Sequence, residues 1–415
     1  MPKPILISIS PNTQADDVLL AVKTIFQPWA WGRGQAQIQL INQLKTRLKQ
    51  PYAWLINGAR NGLFLALKAL NLNSTDQVLC QAFTCVAVPN AIRWAGAQPV
   101  FVDTNKTDFN LNLSDLKLKI TSHAKALIIQ HTFGQPDDLT AIKAICRQHR
   151  LILIEDCAHA LGAKYQMKPV GSFGDITVLS FGRDKIISSV FGGAVLAQNQ
   201  SLAKKLESQF SRLAYPSAWW IFKQLFHPII FSLIVPTYYT LGLGKVLIFL
   251  LRQLRLISLP VTLTEKQGQV SYPPQKLPQA LAVLALNQLN KLDRFNRHRR
   301  QIAQYYSRRL FLPPIHKEAI YLRFPILVKD PDELIKLAKK KQILLGNWYC
   351  PVIAPAGVDL AWQSYQPGSC PNAENLSQKV INLPTHPRMT LTDANRVISV
   401  INNYYFFHDR NQTDY

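Results

Sequence analysis

Several things are scarce or missing in this 415-residue chain. Its six cysteines, Cys80, Cys85, Cys146, Cys157, Cys350 and Cys370, form no C-x-x-C pair and no regular spacing. They read as reduced, buried thiols of a cytosolic protein, and no metal site is expected. Walker and Rossmann phosphate fingerprints are absent, as are internal repeats and low-complexity tracts. No basic stretch is interleaved with aromatics in the manner of a nucleic-acid groove, so nucleic acid is not an expected partner. Charged residues make up only 17%, and no Asp or Glu occurs between Ser208 and Thr264. The apolar run in the opening MPKPILISISP is too short and too proline-bounded for a signal peptide. The expected location is therefore cytoplasmic, peripheral at the inner membrane face if the acid-free stretch binds lipid.

What is present is apolar and basic. Hydrophobic residues make up 48%, and 47 Lys and Arg against 24 Asp and Glu leave a formal charge of +23. Such an excess favours anionic partners, phosphorylated metabolites or an acidic membrane surface among them. The length exceeds one ordinary core, which implies a large domain over 1–276 and a smaller C-terminal α/β domain over 277–415.

From Ala53 to Ala197 short apolar runs alternate with helical patterns. Candidate strands lie at Ala53–Ile56, Val78–Cys80, Pro99–Val102, Ala126–Ile129, Leu151–Ile154, Ile176–Leu179 and Ala194–Ala197. Candidate helices lie at Leu63–Leu70, Val86–Ala95 and Asp137–His149. This rhythm predicts an α/β fold with a largely parallel sheet covered by helices. Ligands of such sheets bind beyond the carboxyl ends of the strands. There the chain places Glu155 and Asp156, then Ser180, then Lys185 in a loop closed by Gly192-Gly193. The turn Gly58-Ala59-Arg60-Asn61 sits between strand and helix, where free amides and the helix dipole can hold a phosphate. A tight βα turn would look the same.

Between Ser208 and Thr264 the cations Arg212, Lys223, Lys245, Arg252 and Arg255 accompany Trp219-Trp220 and two strongly apolar runs, Ile229–Val235 and Val246–Leu251. Pro228, Pro236, Gly242 and Gly244 are expected to break these into pieces too short to span a bilayer. Two readings stay open, an interfacial hairpin on anionic lipid and a greasy insertion buried against a partner subunit. From Leu277 a long helical pattern follows. A strand at Tyr321–Val328, helices at Asp332–Lys341 and Thr392–Tyr404, and a polar, frayed tail at His408–Tyr415 complete the chain.

A lysine in a loop, an aspartate at a strand end, a nearby imidazole and a phosphate-binding turn are together what pyridoxal 5'-phosphate requires. Its aldehyde needs an amine, supplied as a Schiff base by Lys185. Its ring nitrogen stays protonated only beside a buried carboxylate, here Asp156. His159 lies near the ring, and Ser180, Arg60 and the Gly58–Asn61 turn hold the phosphate. Taken singly, Asp156 could cap a helix, Lys185 could be a solvated loop lysine and His159 a satisfied half-buried histidine.

The segments GARNGLFLAL, FTCVAVPNAIRWAGAQPVFVD, AKALIIQHTFGQPDDLTAI, LIEDCAHALGAKY and VGSFGDITVLSFGRDK, with the later NQLNKLD, CPNAENLS and INLPTHP, carry a specific resemblance. The chain resembles the DegT/DnrJ/EryC1/StrS aminotransferases, fold-type-I pyridoxal-phosphate enzymes that aminate nucleotide-linked keto-sugars. The resemblance implies Lys185 as the Schiff-base lysine, Asp156 at the ring nitrogen and His159 beside the ring. It also implies glutamate as amino donor and a homodimer with a shared active site. Ala59, Arg60, Asn61, Cys85 and Ser180 join the expected cofactor-binding set. Two positions depart from the family pattern: Cys85 replaces a bulky aromatic that stacks on the cofactor, and Pro274 and Lys276 replace an N-x-R pair. A membrane-surface regulator or scaffold that keeps the fold, and a dehydration of the same class of sugar, are the competing readings.

Overall fold

The computed structural model describes residues 3–238 and 242–410, with side chains as far as Phe406. In order, its first half runs β1 (Ile5–Leu6), α1 (Ala15–Ile25), α2 (Gln35–Leu48), β2 (Tyr52–Ile56), α3 (Ala59–Lys68), β3 (Gln77–Gln81), β4 (Thr84–Cys85), α4 (Ala87–Trp94), β5 (Gln98–Val102), α5 (Leu113–Lys119), β6 (Ala124–Gln130), α6 (Leu139–His149), β7 (Ile152–Asp156), β8 (Lys164–Tyr165), β9 (Lys168–Pro169), β10 (Ile176–Ser180), β11 (Gly193–Ala197) and α7 (Gln200–Phe210). The second half runs α8 (Ala218–Thr237), α9 (Leu243–Gln253), α10 (Leu263–Lys266), α11 (Gln279–Asn290), α12 (Leu292–Arg309), β12 (Arg323–Leu327), α13 (Pro331–Lys340), β13 (Ile343–Leu344), β14 (Ile353–Ala354), α14 (Pro371–Lys379), β15 (Val380–Pro384) and α15 (Leu391–Arg410). The last five residues of the expected polar tail, 411–415, lie outside the described residues.

Seven strands form the central sheet in the order β2-β11-β10-β7-β6-β3-β5. All neighbours are parallel except β11, which runs antiparallel to β10 and β2. The strands are short, apolar and buried on both faces, as parallel strands between helical layers must be. One face packs against α2, α6 and α11 through Leu40, Leu44, Leu127, Ile142, Leu281 and Leu289. The other packs against α3, α4 and α7 through Leu63, Ala66, Ile92 and Leu206. The expected α/β architecture, with a mostly parallel sheet of the fold-type-I kind, is what the chain adopts.

The register sets the site. Gln130 pairs with Asp156, Ser180 with Gly193, and Gly193 with Ile56, so the ends of five strands, three of them polar, meet at one edge. Gly193 makes this possible. A Cβ there would stand 2.5 Å from the Leu179 carbonyl oxygen and 3.0 Å from the Ala59 nitrogen, so any side chain would push β11 away from the start of α3.

A separate core gathers Ile302, Tyr306, Phe324, Leu334, Ile381, Val397 and Tyr404 around the antiparallel pair β12–β15, with Ile5 of β1 joining it. β1 pairs in parallel with β13. Leu277 through Leu292 instead pack into the core of the large sheet, so α11, read from sequence as C-terminal, belongs by its packing to the sheet. The long helical pattern beginning at Leu277 is two helices, α11 and α12, divided at Lys291.

The acid-free stretch corrects the sequence reading. Pro228 and Pro236 do not break it: α8 is one helix of 20 residues with both prolines inside. A proline deletes one backbone hydrogen bond and crowds the preceding turn. Here Pro228 lies on the buried face with Ile221, Leu225, Phe231 and Ile234, so the packing of that face on the protein offsets the lost bond. By length and composition α8 could cross a membrane, but 44% of its most apolar window is buried inside the protein.

Candidate active site

A cavity of about 460 Å³ opens at the sheet edge. Its walls come from the start of α3 (Gly58, Ala59, Arg60), from Cys85, from the strand ends Gln130, Asp156 and Ser180, from His159, and from the loop Gly182–Lys185. A far wall is made by Trp348 and Tyr349, which pack with the core on the α3–α4 face of the sheet. Seven of the eight residues singled out in the sequence thus line one space. Asn61 is the exception. It is buried under the turn, where its Nδ2 donates to Asn57 Oδ1 at 2.8 Å and to the Tyr272 carbonyl at 3.1 Å.

Asp156 ends β7 with one oxygen accepting from the Ala158 amide at 2.9 Å. Among the described residues it is in no ion pair. Burial pushes its carboxyl up, against the opposing pull of that amide, Lys185 and His131. A cation placed opposite it would restore the ionised form. Glu155, the preceding residue, is spent on structure. Its oxygens accept from the amides of Gly171, Phe173 and Gly174 and from His131 Nε2, all within 3.2 Å. His131 Nδ1 accepts from the Asp137 amide, which places the ring proton on Nε2. His131, Glu155 and Cys157 do approach within 4.8 Å of one another, but these donors already satisfy the carboxylate.

Lys185 sits in the turn after β10, its amide bonded to the Gly182 carbonyl at 3.1 Å. Its Nζ stands 5.0 Å from the ring centroid of Trp348. Burial holds the amine below its ordinary pKa, Asp156 opposes that, and Arg323 adds to it. Arg323 lies on the same Trp348 ring, its guanidinium carbon 3.3 Å from the centroid, so two cations meet one indole.

His159 is 2% exposed. Its ring runs nearly parallel to those of Trp348 (9°), Tyr349 (12°) and Phe133 (9°). Nε2 meets the Tyr349 hydroxyl at 3.2 Å, while Nδ1 is buried without a partner. Burial and the neighbouring cations Lys185 and Arg323 drive its pKa well below the usual value, so the ring is neutral.

Arg60 is more tightly held than the sequence suggested. Its guanidinium pairs with buried Glu265 and with the Pro260 carbonyl. Arg183 donates to the Ser258 carbonyl at 2.5 Å. Two arginines therefore strap segment 258–265 across the cavity mouth, where Pro260 and Val261 join its lining. Pro274 and Lys276 form no part of the cavity. Lys276 instead donates to the Ser211 carbonyl at 3.3 Å.

The residues fit pyridoxal phosphate. The unpaired carboxylate of Asp156 suits a protonated ring nitrogen. First-turn amides of α3, which have no intrahelical partner, suit a phosphate, with Ser180 beside them. A Cβ at Gly58 would meet nothing within 4 Å, so that turn is open towards a ligand. Cys85, in β4 paired with β14, lies in the wall but offers no ring. The aromatic surface comes from Trp348 and Tyr349, which sequence reasoning did not single out. Arg323, Glu265 and Gln130 were missed as well. A lone arginine in a strand and a glutamate ending an acid-free tract were the only signals available.

Comparison with known proteins agrees with this geometry. The sequence profile described as the DegT/DnrJ/EryC1/StrS aminotransferase family matches residues 12–217 and 257–402. A GDP-perosamine synthase of Escherichia coli O157:H7 is 35% identical over 174 residues, which cover 42% of this chain and 48% of that protein. The chain thus aligns with about half the length of that relative. A UDP-N-acetyl-3-dehydro-alpha-D-glucosamine 3-aminotransferase of Acidithiobacillus ferrooxidans is 27% identical, covering 82% of this chain and 81% of its own. Among solved structures, Helicobacter pylori PseC, an aminotransferase involved in the biosynthesis of pseudoaminic acid, superposes with a TM-score of 0.74 at 19% identity. It covers 97% of this chain and 99% of its own, a likeness of fold.

Proposed function

The chain belongs to the DegT/DnrJ/EryC1/StrS aminotransferase family, and from that premise we propose that it moves an amino group from glutamate to the ketone of a nucleotide-linked sugar. The observation that carries this reading is the convergence of Lys185, Asp156 and the open turn at Gly58 on one cavity. Pyridoxal phosphate, when bound, supplies the carbonyl that accepts the amino group and the conjugated ring that withdraws electrons from it. Lys185 offers an amine whose charged form burial disfavours, able to attack and then to carry a proton at Nζ. Asp156 holds a proton on the ring nitrogen, and the amides of Ala59 and Arg60 with Ser180 anchor the phosphate. Neutral His159 and the rings of Trp348 and Tyr349 exclude water from the reacting face.

The basic excess suits a diphosphate-linked sugar. The two relatives named for GDP- and UDP-linked sugars support that substrate class. Supply of amino sugars to polysaccharide or glycoconjugate synthesis, a cytoplasmic location and a homodimer whose partner completes the site belong to the same reading. Purified protein is expected to show a visible-range cofactor band and to consume glutamate in a half-reaction without sugar. Lys185→Ala should remove both, and an unchanged spectrum in that variant would sink the assignment.

A further inference from the structure

The helical hairpin α8–α9 has no part in the chemistry above. The family match stops at residue 217 and resumes at 257, so the hairpin fills the interval the family pattern does not cover. We propose that its outward face docks the protein onto an anionic lipid bilayer.

The face is apolar where a soluble hairpin would be polar. α8 buries one side against the protein and points Gln224 and His227 inward, where they meet Ser258 Oγ at 3.0 Å and Ser10 Oγ at 2.8 Å. On α8 itself Trp219 and Leu233 are exposed, while Phe222, Phe226 and Ile230 are half-buried against the protein's own cores. Trp219 is 56% and Leu233 63% exposed, with the rings of 219, 222 and 226 stacked in a row. α9 rests on α8 through Gly244 and Leu251. Its outer arc holds Val246, Phe249 and Leu250, 55%, 59% and 49% exposed. Lys245 and Arg252 fall on the border of that arc at helical periodicity, and no carboxylate occurs anywhere in 208–264. An apolar face bordered only by cations is what the boundary between headgroups and acyl chains of an acidic membrane takes up.

The hairpin lies on the bilayer and does not cross it. α8 is half committed to protein packing, and its inward Gln224 and His227 could not leave their partners for hydrocarbon. A second copy of the chain is the poorer occupant. In a two-fold interface the same patch faces itself, so Lys223, Lys245, Arg252 and Arg255 would confront their own equivalents with no acid between them.

The test uses the full cofactor-loaded chain, sedimented with vesicles of phosphatidylcholine alone and of phosphatidylcholine with phosphatidylglycerol, at low and high salt. Wild type is expected to pellet with the anionic vesicles only, and less at high salt. Val246→Glu with Leu250→Glu should lower the partition at least tenfold (~10-fold), with the visible cofactor band and the mass by light scattering unchanged. Arg252→Glu alters charge without touching packed surface and should weaken binding severalfold at low salt. Wild type remaining in the supernatant overturns the proposal. So does a V246E/L250E variant that pellets like wild type, or one that changes oligomeric mass while wild type ignores lipid. If that double variant misfolds, Arg252→Glu alone decides: unaltered binding at low salt overturns the proposal.

Discussion

The side-chain amide of Asn12 donates to the main-chain carbonyl of Lys185 at 2.6 Å, joining positions 173 residues apart. The same amide reaches the Ile186 carbonyl at 3.0 Å, and the Asn12 oxygen accepts from Arg299 Nη2 at 2.8 Å. Arg299 is fully buried and also donates to the Ile186 carbonyl at 3.0 Å. The lysine backbone is thus clamped by the N-terminal segment and by α12, while its amine stays free to move.

Asn12→Ala should leave the Lys185 carbonyl and one arginine N–H short of partners, while the Ile186 carbonyl keeps its bond from Arg299. The expected cost is about 1–3 kcal/mol, read by urea unfolding. The visible cofactor band should persist, while kcat for the glutamate half-reaction falls roughly 10-fold because the amine is less well placed. A KM change with kcat untouched would argue against the clamp.

Arg323 lies on the Trp348 ring and does not line the cavity, yet its charge lowers the pKa of Lys185. Removing a nearby cation makes protonation of the amine easier, so Arg323→Gln should move the rising limb of the pH–rate profile to higher pH, by about half a pH unit or more. KM for the sugar should change little, and Arg323→Lys should restore the profile.

Asp137, 3% exposed, has its carboxyl raised to about 7 by burial, against an ordinary value of 3.8. Between those values the folded chain holds a proton that the unfolded chain has released. Stability from this group is therefore full below about pH 4 and is lost as pH rises through about 7. Asp137→Asn removes the titration. Relative to wild type it should gain at least about 1 kcal/mol between pH 5 and pH 8, checked by unfolding at both.

The sheet was readable because each strand is a short apolar run that stops at a polar residue, and a buried parallel strand can be little else. Lys185, Asp156 and Ser180 were readable for the same reason, since strand ends fall at one edge once the order is known. Other features gave no local signal. Trp348 and Tyr349 belong to no periodic pattern, and only their packing on the core of the large sheet brings them to His159. Glu265 is an ordinary capping residue for α10 until Arg60, 205 positions earlier, meets it. Helix α1 was passed over in a stretch that looked mixed, although it packs against α8. The prolines of α8 misled because propensity describes an isolated helix, whereas burial of one face decides whether this one continues.

By itself, then, the sequence determined the α/β class and the family, and it singled out a lysine, an aspartate and a histidine that the fold brings to one cavity. These depend on periodicity and on residues fixed at strand ends, which are local properties. Tertiary structure alone decided that Arg60 is held by Glu265, that Lys185 and Arg323 meet one indole at Trp348, and that α8 runs unbroken. Each of these depends on which distant surfaces meet and on what burial does to charge, and neither is encoded in any one stretch of chain.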